Sequence, residues 1–312
     1  MTPMVSERQE PRDSDAQAAD RTLVTVVVPA YNEEGAIAED LVNLRTTMDN
    51  SGLSYEIVVV NDGSEDQTAQ EAEKVDGIRL LHHRRNMGYG ASLKTGIWEA
   101  EGDIVVITDA DGTYPPRYIP ELVQAVQNGS DMAVGARISA DAAIPFIRRP
   151  AKWCLAKLAS YLAEQPIPDL NSGLRAFRKA QVIKFFSILP SGFSFTTTIT
   201  LAMLCNGFSV TYHSIEYLHR VGRSKIRPIQ DTYNFIVLIL RTICYFNPLK
   251  VFVPPALLFA LVGTVKLVHG IIWEHDISQG EEIALMGAAQ MLAIGMVADM
   301  VSKLIGARAR DE

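Results

Sequence analysis

The two longest apolar stretches of the chain lie near its C-terminal end, and they limit what the rest can be. Residues 251–265 carry no charge, and apolar character resumes through Leu267, Val268, Ile271, Ile272 and Trp273. Residues 283–298 are again uncharged, and Met300, Val301, Leu304 and Ile305 extend the run. Each stretch covers about 23 residues, or ~34 Å of helix, against a hydrocarbon core of about 30 Å. Two membrane helices are expected over residues 249–306, with a short tail at 307–312. The alternative is a helix pair buried in a soluble bundle, which Lys266, His269, Gln290 and Asp299 would suit. Three of these, Lys266, His269 and Asp299, lie toward the ends of the spans, where snorkelling or pairing relieves the cost of a charge. The loop 274–282 has four acidic residues and no Lys or Arg, whereas Arg241, Lys250, Lys303, Arg308 and Arg310 flank the pair. By the positive-inside rule both ends of the hairpin face the cytoplasm, as in a multi-pass protein of the cell (inner or plasma) membrane. Pro254 and Pro255 fall in the first turns of the first span, where a missing N–H costs least.

Residues 1–20 hold Glu7, Glu10, Asp13, Asp15 and Asp20 and almost no large apolar side chain, so they read as a disordered tail. No apolar h-region follows the start, so a cleaved secretory signal is not expected. Lys and Arg total 29 against 36 Asp and Glu, a net charge of −7 that argues against a nucleic-acid partner. Cys154, Cys205 and Cys244 are scattered, without the spacing of a disulfide framework or a thiolate zinc site.

The remainder alternates between two periodicities. Residues 23–28 (LVTVVV) and 56–60 (EIVVV) are short, continuously apolar and rich in valine, the pattern of strands buried on both faces. Between them, Ile37, Leu41, Leu44 and Met48 recur at helical spacing within 34–49, and 67–75 suits a second helix. Strands at 78–82, 103–108 and 132–135 and a helix at 91–100 continue the rhythm. The expected fold is α/β: an open, mostly parallel sheet with helices on both faces, whose ligands belong at the carboxyl ends of the strands. Three polar clusters occupy those ends: Tyr31-Asn32-Glu33-Glu34, Asn61-Asp62-Gly63-Ser64 and Asp109-Ala110-Asp111-Gly112. Any one of them is ordinary turn or N-cap chemistry, but all three on one rim point to a binding site.

Asp109 and Asp111, one residue apart just past an apolar strand, can offer two carboxylates to a hard divalent cation that also takes phosphate oxygens. No GxxxxGK[ST] loop occurs, and no GxGxxG follows the first strand, which removes the usual support for triphosphatase and nicotinamide readings. Adjacent His82 and His83 point to opposite faces of a strand and are read as structural. Arg148, Arg149 and Lys152 precede an apolar helical pattern (Trp153, Leu155, Leu158, Leu162) that suits the membrane surface. Between Arg220 and Lys250 six basic residues face one acid, a net +5 beside the first span. Such a patch serves lipid headgroups and topology as readily as phosphate binding. Residues 228–248 are expected to form an amphipathic juxtamembrane segment.

The motifs VVVPAYNEEGAI (26–37), VVNDGS (59–64), NMGYGASLKTGI (86–97), TDADGTYPP (108–116) and DLNSGLRAFRK (169–179) occur in order. In this the chain resembles family 2 glycosyltransferases of the GT-A fold, in the dolichyl-phosphate mannose synthase-like branch that glycosylates polyprenyl phosphates. The resemblance covers about residues 22–227 and implies a catalytic domain over 21–227. It implies a nucleotide-sugar donor of GDP-mannose or UDP-glucose type, a dolichyl or undecaprenyl phosphate acceptor, Mg²⁺ or Mn²⁺ as cofactor, and a homo-oligomer. Pro29, Ala30, Tyr31, Asn32, Glu33, Asp62 and Lys94 match positions that hold the nucleotide sugar. Asp109 and Asp111 match the diphosphate-metal motif, Asp109 also touching the donor; Thr113 stands where many relatives have Gln, which leaves the metal's third protein ligand open. Arg137, in a GAR that resembles the family's GSR, matches an arginine that contacts phosphate. Arg148, Arg149, Arg220 and Lys225 are the further candidates for the acceptor phosphate, the last two within an RxGxSK segment that closes over the site.

The acceptor is a phosphate monoester, largely ionised at neutral pH because its second pKa is about 6, so it needs little help from a base. Departure of the nucleoside diphosphate is the demanding step, and charge stabilisation by the cation and arginines answers it. The expected reaction is single-displacement transfer with inversion. Asp111, Arg137 and Asp169 are the catalytic candidates, Asp169 to orient or deprotonate the acceptor, unless it merely caps the 171–173 turn. Two rivals are a processive polysaccharide synthase, whose QxxRW motif is absent here, and a non-catalytic membrane-anchored sugar-nucleotide binder.

Overall fold

The computed structural model describes residues 23–137, 165–192, 194–218, 247–274 and 279–311, with positions 157, 160, 161, 237, 244 and 245. Among them, seven strands form one sheet: β1 (Leu23–Ala30), β2 (Ser54–Asn61), β3 (Ile78–His82), β4 (Ile104–Ile107), β5 (Met132–Ala136), β6 (Arg175–Arg178) and β7 (Val210–Ser214). Their order is β3-β2-β1-β4-β6-β5-β7. The pairs β1–β2, β1–β4, β2–β3 and β5–β7 are parallel. β6 is antiparallel to both its neighbours, β4 and β5.

Helices α1 (Ile37–Ser51), α2 (Thr68–Glu73), α3 (Tyr89–Glu99), α4 (Ile119–Gln127), α5 (Lys179–Ile183) and α6 (Phe195–Cys205) cover the sheet. The period-2 alternation of the strands explains why both faces need cover. Val24, Val26 and Val28 of β1 pack with Ile37, Leu41, Leu44 and Met48 of α1 and Leu122, Val123 and Val126 of α4. Val27 points the other way, into a cluster with Leu93 and Ile97 of α3 and Phe195 and Ile199 of α6. Each such side chain, once buried, contributes about 1.5–3 kcal/mol.

One strand boundary differs from the sequence reading for an identifiable reason. β1 runs through Pro29 to Ala30, because β4 pairs with β1 only as far as Val27↔Ile107. Beyond that point only β2 remains as a partner, so Pro29 occupies what is locally an edge, where a missing N–H is tolerated. At the other end, helix α8 (Gln279–Asp311) continues past the apolar span through 307–311. Ala and Arg there are good helix formers, and no proline interrupts them.

α7 (Leu249–His269), a π-helical turn (Gly270–Glu274) and α8 form the C-terminal hairpin. The segments Leu249–Trp273 and Gln279–Lys303, with mean hydropathy 2.1 and 1.6, are long and apolar enough to cross a membrane, and only 11% of each apolar window is buried. Leu257, Leu258, Leu261, Val262, Ile294 and Val297 all face outward. A pair of helices serving as the core of a soluble bundle would hide these side chains, so this geometry is that of a hairpin needing an apolar surround. Where the helices touch, the small residues let them approach: a Cβ at Gly263 would lie 3.0 Å from Leu285, and one at Gly295 2.9 Å from Phe252.

Candidate active site

The parallel strands end on one rim, since Ala30 pairs with Asn61, Asn61 with His82, and Val27 with Ile107. β6 runs backwards, so its first residue, Arg175, stands opposite Ile107, and the loop before it reaches the same rim. β5 and β7 end there too, through Ala136↔Ser214. All the polar clusters singled out in the sequence therefore meet.

The first two clusters are laced together by side chain to backbone hydrogen bonds. Asn32, at φ 54°, accepts from the Glu65 amide at 3.0 Å, while its own amide donates to Ser64 Oγ at 3.1 Å. Asparagine tolerates this left-handed geometry better than most residues. The Glu33 amide donates to Thr68 Oγ1 at 2.8 Å and the Gln67 amide to Glu34 Oε2 at 3.0 Å. Pro29 and Ala30 are buried beneath this turn, Tyr31 and Glu33 are half-buried, and Asn32 is exposed.

Asp62 is 3% exposed, and both of its oxygens are engaged by the protein. Oδ1 accepts from the Met87 amide at 2.9 Å and lies 2.6 Å from His83 Nδ1; Oδ2 accepts from the Gly88 amide at 2.8 Å. His83 Nε2 reaches Thr95 Oγ1 at 2.9 Å, fastening the same loop to α3. Gly88 has φ 100°, and a Cβ there would lie 2.6 Å from the Ser191 carbonyl oxygen, so only glycine fits. Lys94, on α3, places its ammonium on the Leu189 carbonyl, tying the helix to the 189–192 loop. Burial lowers its pKa.

The third cluster follows β4. Asp109 Oδ1 accepts from the Tyr89 hydroxyl at 2.8 Å, and Asp111 Oδ1 from the Thr113 hydroxyl and amide at 2.6 and 3.2 Å. A third carboxyl stands in their field. Asp40 of α1 has its pKa raised to about 7 by burial first and then by the charges of Asp111 and Asp109, against an opposing hydrogen bond from the Gly112 amide. Three acids crowding one place, all hard oxygen donors, form the potential that a divalent cation would satisfy. Among the described residues no three His, Cys, Asp or Glu side chains converge as a ready-made metal cage. The residues therefore fit a sparse Mg²⁺-type site that phosphate and water would complete, with Asp109 and Asp111 as the carboxylates available to it.

Beside it lies an ion pair. Arg137 binds Asp169 through Nε to Oδ2 at 2.7 Å, Nη2 to Oδ1 at 2.9 Å and its backbone N–H to Oδ2 at 3.1 Å, while the Asn171 amide adds a fourth donor at 3.1 Å. Burial alone would raise the Asp169 pKa, but the hydrogen bonds and charge of Arg137 outweigh it and hold the carboxyl below its ordinary value. The guanidinium carbon lies 5.1 Å from the Tyr217 ring centroid, and Tyr217 meets Tyr114 edge-on at 5.3 Å. The Leu218 amide donates to the Thr113 carbonyl at 3.0 Å, so the chain leaving β7 is fixed to the acidic turn.

The 169–173 loop is held from below by Arg175, which is fully buried. Its guanidinium donates to the carbonyls of Ser172 and Leu170 at 2.8 and 2.9 Å and to Thr200 Oγ1. At the top of the loop the Gly173 amide donates to Tyr114 Oη at 2.8 Å, and a Cβ on Gly173 would lie 2.6 Å from Asp109 Oδ2. The ion-pair loop and the acidic turn are thus in van der Waals contact.

Comparison with known proteins matches this arrangement to a family. The profile of "Glycosyl transferase family 2" covers residues 25–186, and that of the "GtrB C-terminal hairpin" covers 247–304. The chain belongs to glycosyl transferase family 2. It is 33% identical over 192 residues to a dolichol-phosphate mannosyltransferase of Pyrococcus furiosus, covering 57% of this chain and 52% of that one. It is 32% identical to a dolichyl-phosphate hexose transferase of Haloferax volcanii, covering 66% and 87%. An undecaprenyl-phosphate 4-deoxy-4-formamido-L-arabinose transferase of Proteus mirabilis is 27% identical over 90% of this chain and 89% of its own. The match thus spans about half of the Pyrococcus protein and nearly all of the Proteus one. Among solved structures, glucosyl-3-phosphoglycerate synthase of Mycobacterium tuberculosis with Mn²⁺, UDP and phosphoglyceric acid superposes with TM-score 0.57 at 22% identity, covering 73% of this chain and 80% of that. The same protein with Mg²⁺ and UDP gives 0.56 at 21%, covering 76% and 84%. The fold is GT-A.

Within this family-2 domain the structure gathers Pro29 to Glu33, Asp62, Asp109, Asp111, Arg137 and Asp169 on one rim, and places the Lys94 ammonium on the 189–192 loop. Arg148, Arg149, Arg220 and Lys225 lie outside the described residues, as do residues 1–20 and most of 228–248. Sequence reasoning missed Asp40, Tyr89, Tyr114, Arg175 and Tyr217. For Asp40 a signal existed: it falls between Ile37, Leu41 and Leu44 on the buried stripe of α1, an unusual place for an acid.

Proposed function

We propose that this chain transfers a single sugar from a nucleotide sugar to a polyprenyl phosphate at a membrane surface, with inversion. The observation that carries the proposal is the contact between the acidic turn and the loop that bears the Arg137–Asp169 ion pair. Asp109 and Asp111, with Asp40 behind them, form an anionic pole, and the loop bearing the Arg137–Asp169 pair touches it at Gly173. An anionic donor needs a cation at the acidic turn, and Arg137, beside it, is the charged hydrogen-bond donor for an anionic acceptor. The relatives named for dolichol- and undecaprenyl-phosphate transfer, and the exposed apolar hairpin, support a lipid acceptor.

In this reading the 29–33 turn and the loop fastened to Asp62 hold the nucleoside. Asp109 and Asp111 would hold Mg²⁺ or Mn²⁺, which when bound supplies positive charge to the donor diphosphate. Arg137 draws the acceptor phosphate toward the sugar. Asp169, holding four donors already and with its pKa lowered, keeps Arg137 aimed rather than accepting a proton. The acceptor needs no strong base, since a phosphate monoester is mostly dianionic near neutral pH. The hairpin spans the membrane with the catalytic domain and both helix ends on the cytoplasmic side, and association through it gives a homo-oligomer.

The test is a panel of UDP- and GDP-sugars incubated with the purified full chain, one polyprenyl phosphate and Mg²⁺ or Mn²⁺. A single lipid-linked sugar is the expected product. A polymer would instead establish a processive synthase, and binding without turnover a non-catalytic sensor.

A further inference from the structure

Tyr89 is the first residue of α3, and its hydroxyl donates to Asp109 Oδ1 at 2.8 Å. Nothing in the transfer reaction uses it directly, yet its placement is heavily determined. The two amides just before it, those of Met87 and Gly88, are spent on the buried Asp62 carboxylate. Two residues later the Ala91 amide donates to the Ser191 carbonyl at 3.0 Å. Tyr89 therefore cannot shift without disturbing the loop fastened to Asp62. On the far side of Asp109, the Gly173 backbone is so near that a Cβ would fall 2.6 Å from Oδ2. One carboxylate oxygen is hydrogen-bonded by a phenol, and the other is confined by backbone.

We infer that Tyr89 is a positioning residue for the metal-binding carboxylate of Asp109, and that the 87–89 segment ties that carboxylate to the Asp62 loop. A carboxylate offers about four lone-pair directions, and a donor on one oxygen fixes which of the others face the site. Hard cations with strict coordination geometry are sensitive to this alignment, and loss of such outer partners typically costs about 10–100-fold in metal affinity.

The inference rests on the metal reading above, and the experiment separates the two. Full-length protein in detergent is titrated with Mn²⁺ in the presence of UDP or GDP, whichever the wild type binds, and free Mn²⁺ is read by its paramagnetic resonance signal. Tyr89→Phe is expected to raise the Mn²⁺ dissociation constant about tenfold. Nucleoside diphosphate binding without metal should stay within about twofold, as should both affinities in Tyr55→Phe, whose hydroxyl serves only Asp49 on the surface. Gly173→Ala, which presses on Asp109 from the other side, should show the same metal-selective loss and serves if Tyr89→Phe fails to fold. Unchanged Mn²⁺ affinity, or an equal fall in metal-free nucleotide binding, overturns the role of Tyr89. A wild type that binds no Mn²⁺ with either nucleotide overturns the metal reading and this inference together.

Discussion

Asp169→Asn separates an aspartate that takes a proton from one that aims an arginine. The native carboxylate receives Nε, Nη2 and the backbone N–H of Arg137, and the Asn171 amide. An asparagine can turn its oxygen toward Nε and the Arg137 amide, but its NH₂ then meets two donors, so two hydrogen bonds and the charge pairing are lost. Breaking a buried pair costs about 3–5 kcal/mol. Arg137 keeps 22% side-chain exposure against 7% for Asp169 and can turn partly to water, so the lower end is expected, ~3 kcal/mol. A displaced guanidinium should slow transfer by about 10²-fold, and Arg137→Ala, which removes it, by about 10³-fold. If Asp169 acts through Arg137, the double variant should be no slower than Arg137→Ala alone, a coupling of about 2.7 kcal/mol. The assay is kcat/KM for a short-chain polyprenyl phosphate at saturating donor. A double variant slowed by the product of the single losses, about 10⁵-fold, would show that Asp169 acts on the substrate directly and refute the positioning argument.

Three further outcomes are expected. Chelating divalent ions should reduce transfer by at least about 10²-fold and Mg²⁺ or Mn²⁺ should restore it, whereas transfer that survives in EDTA would contradict a metal-held diphosphate. Arg175→Met strips three hydrogen bonds from a fully buried position and should lower stability by about 3 kcal/mol, seen as a lower urea midpoint; an unmoved midpoint would show that the 169–173 loop is held by other means. The Asp169 pKa is lowered below its unfolded value of about 3.9, so its contribution to stability is present above that pH and lost only as pH falls through the folded value. Wild type should therefore lose more stability than Asp169→Asn between about pH 4 and 2, and parallel losses would mean that the pair contributes nothing.

Much of the rim was legible because strand ends and polar turns are local features. Valine-rich runs mark β1, β2 and β4, and residues that leave them are bound to cluster. What stayed hidden depends on tertiary context. β6 reads RAFR, too short and too charged to announce a strand, and its first arginine is buried only because Leu170, Ser172 and Thr200 surround it with acceptors. α6 contains the β-branched run Thr196-Thr197-Thr198-Ile199-Thr200, which favours a strand by propensity. It is helical because the helix is buried against the sheet, and the buried hydroxyls of Thr198 and Thr200 are satisfied by the carbonyls of Ser194 and Thr196 four residues back. Tyr89 stood within the NMGYGASLKTGI motif, yet its partner Asp109 lies twenty residues away and becomes its neighbour only when α3 packs across β1 and β2.

The reversed direction of β6 has a mechanical consequence. Turns that would grip the donor hang from β1, β2 and β4, whereas Arg137 and Asp169 hang from β5 and from the approach to β6. The two sets of supports meet along a seam four residue pairs long, between Ile104↔Arg178 and Ile107↔Arg175, and again at the rim, where the Gly173 amide reaches Tyr114 and the Leu218 amide reaches Thr113. A substitution in the 169–173 loop therefore bears on the acidic turn as well as on the ion pair, and the two halves of the rim move as one body.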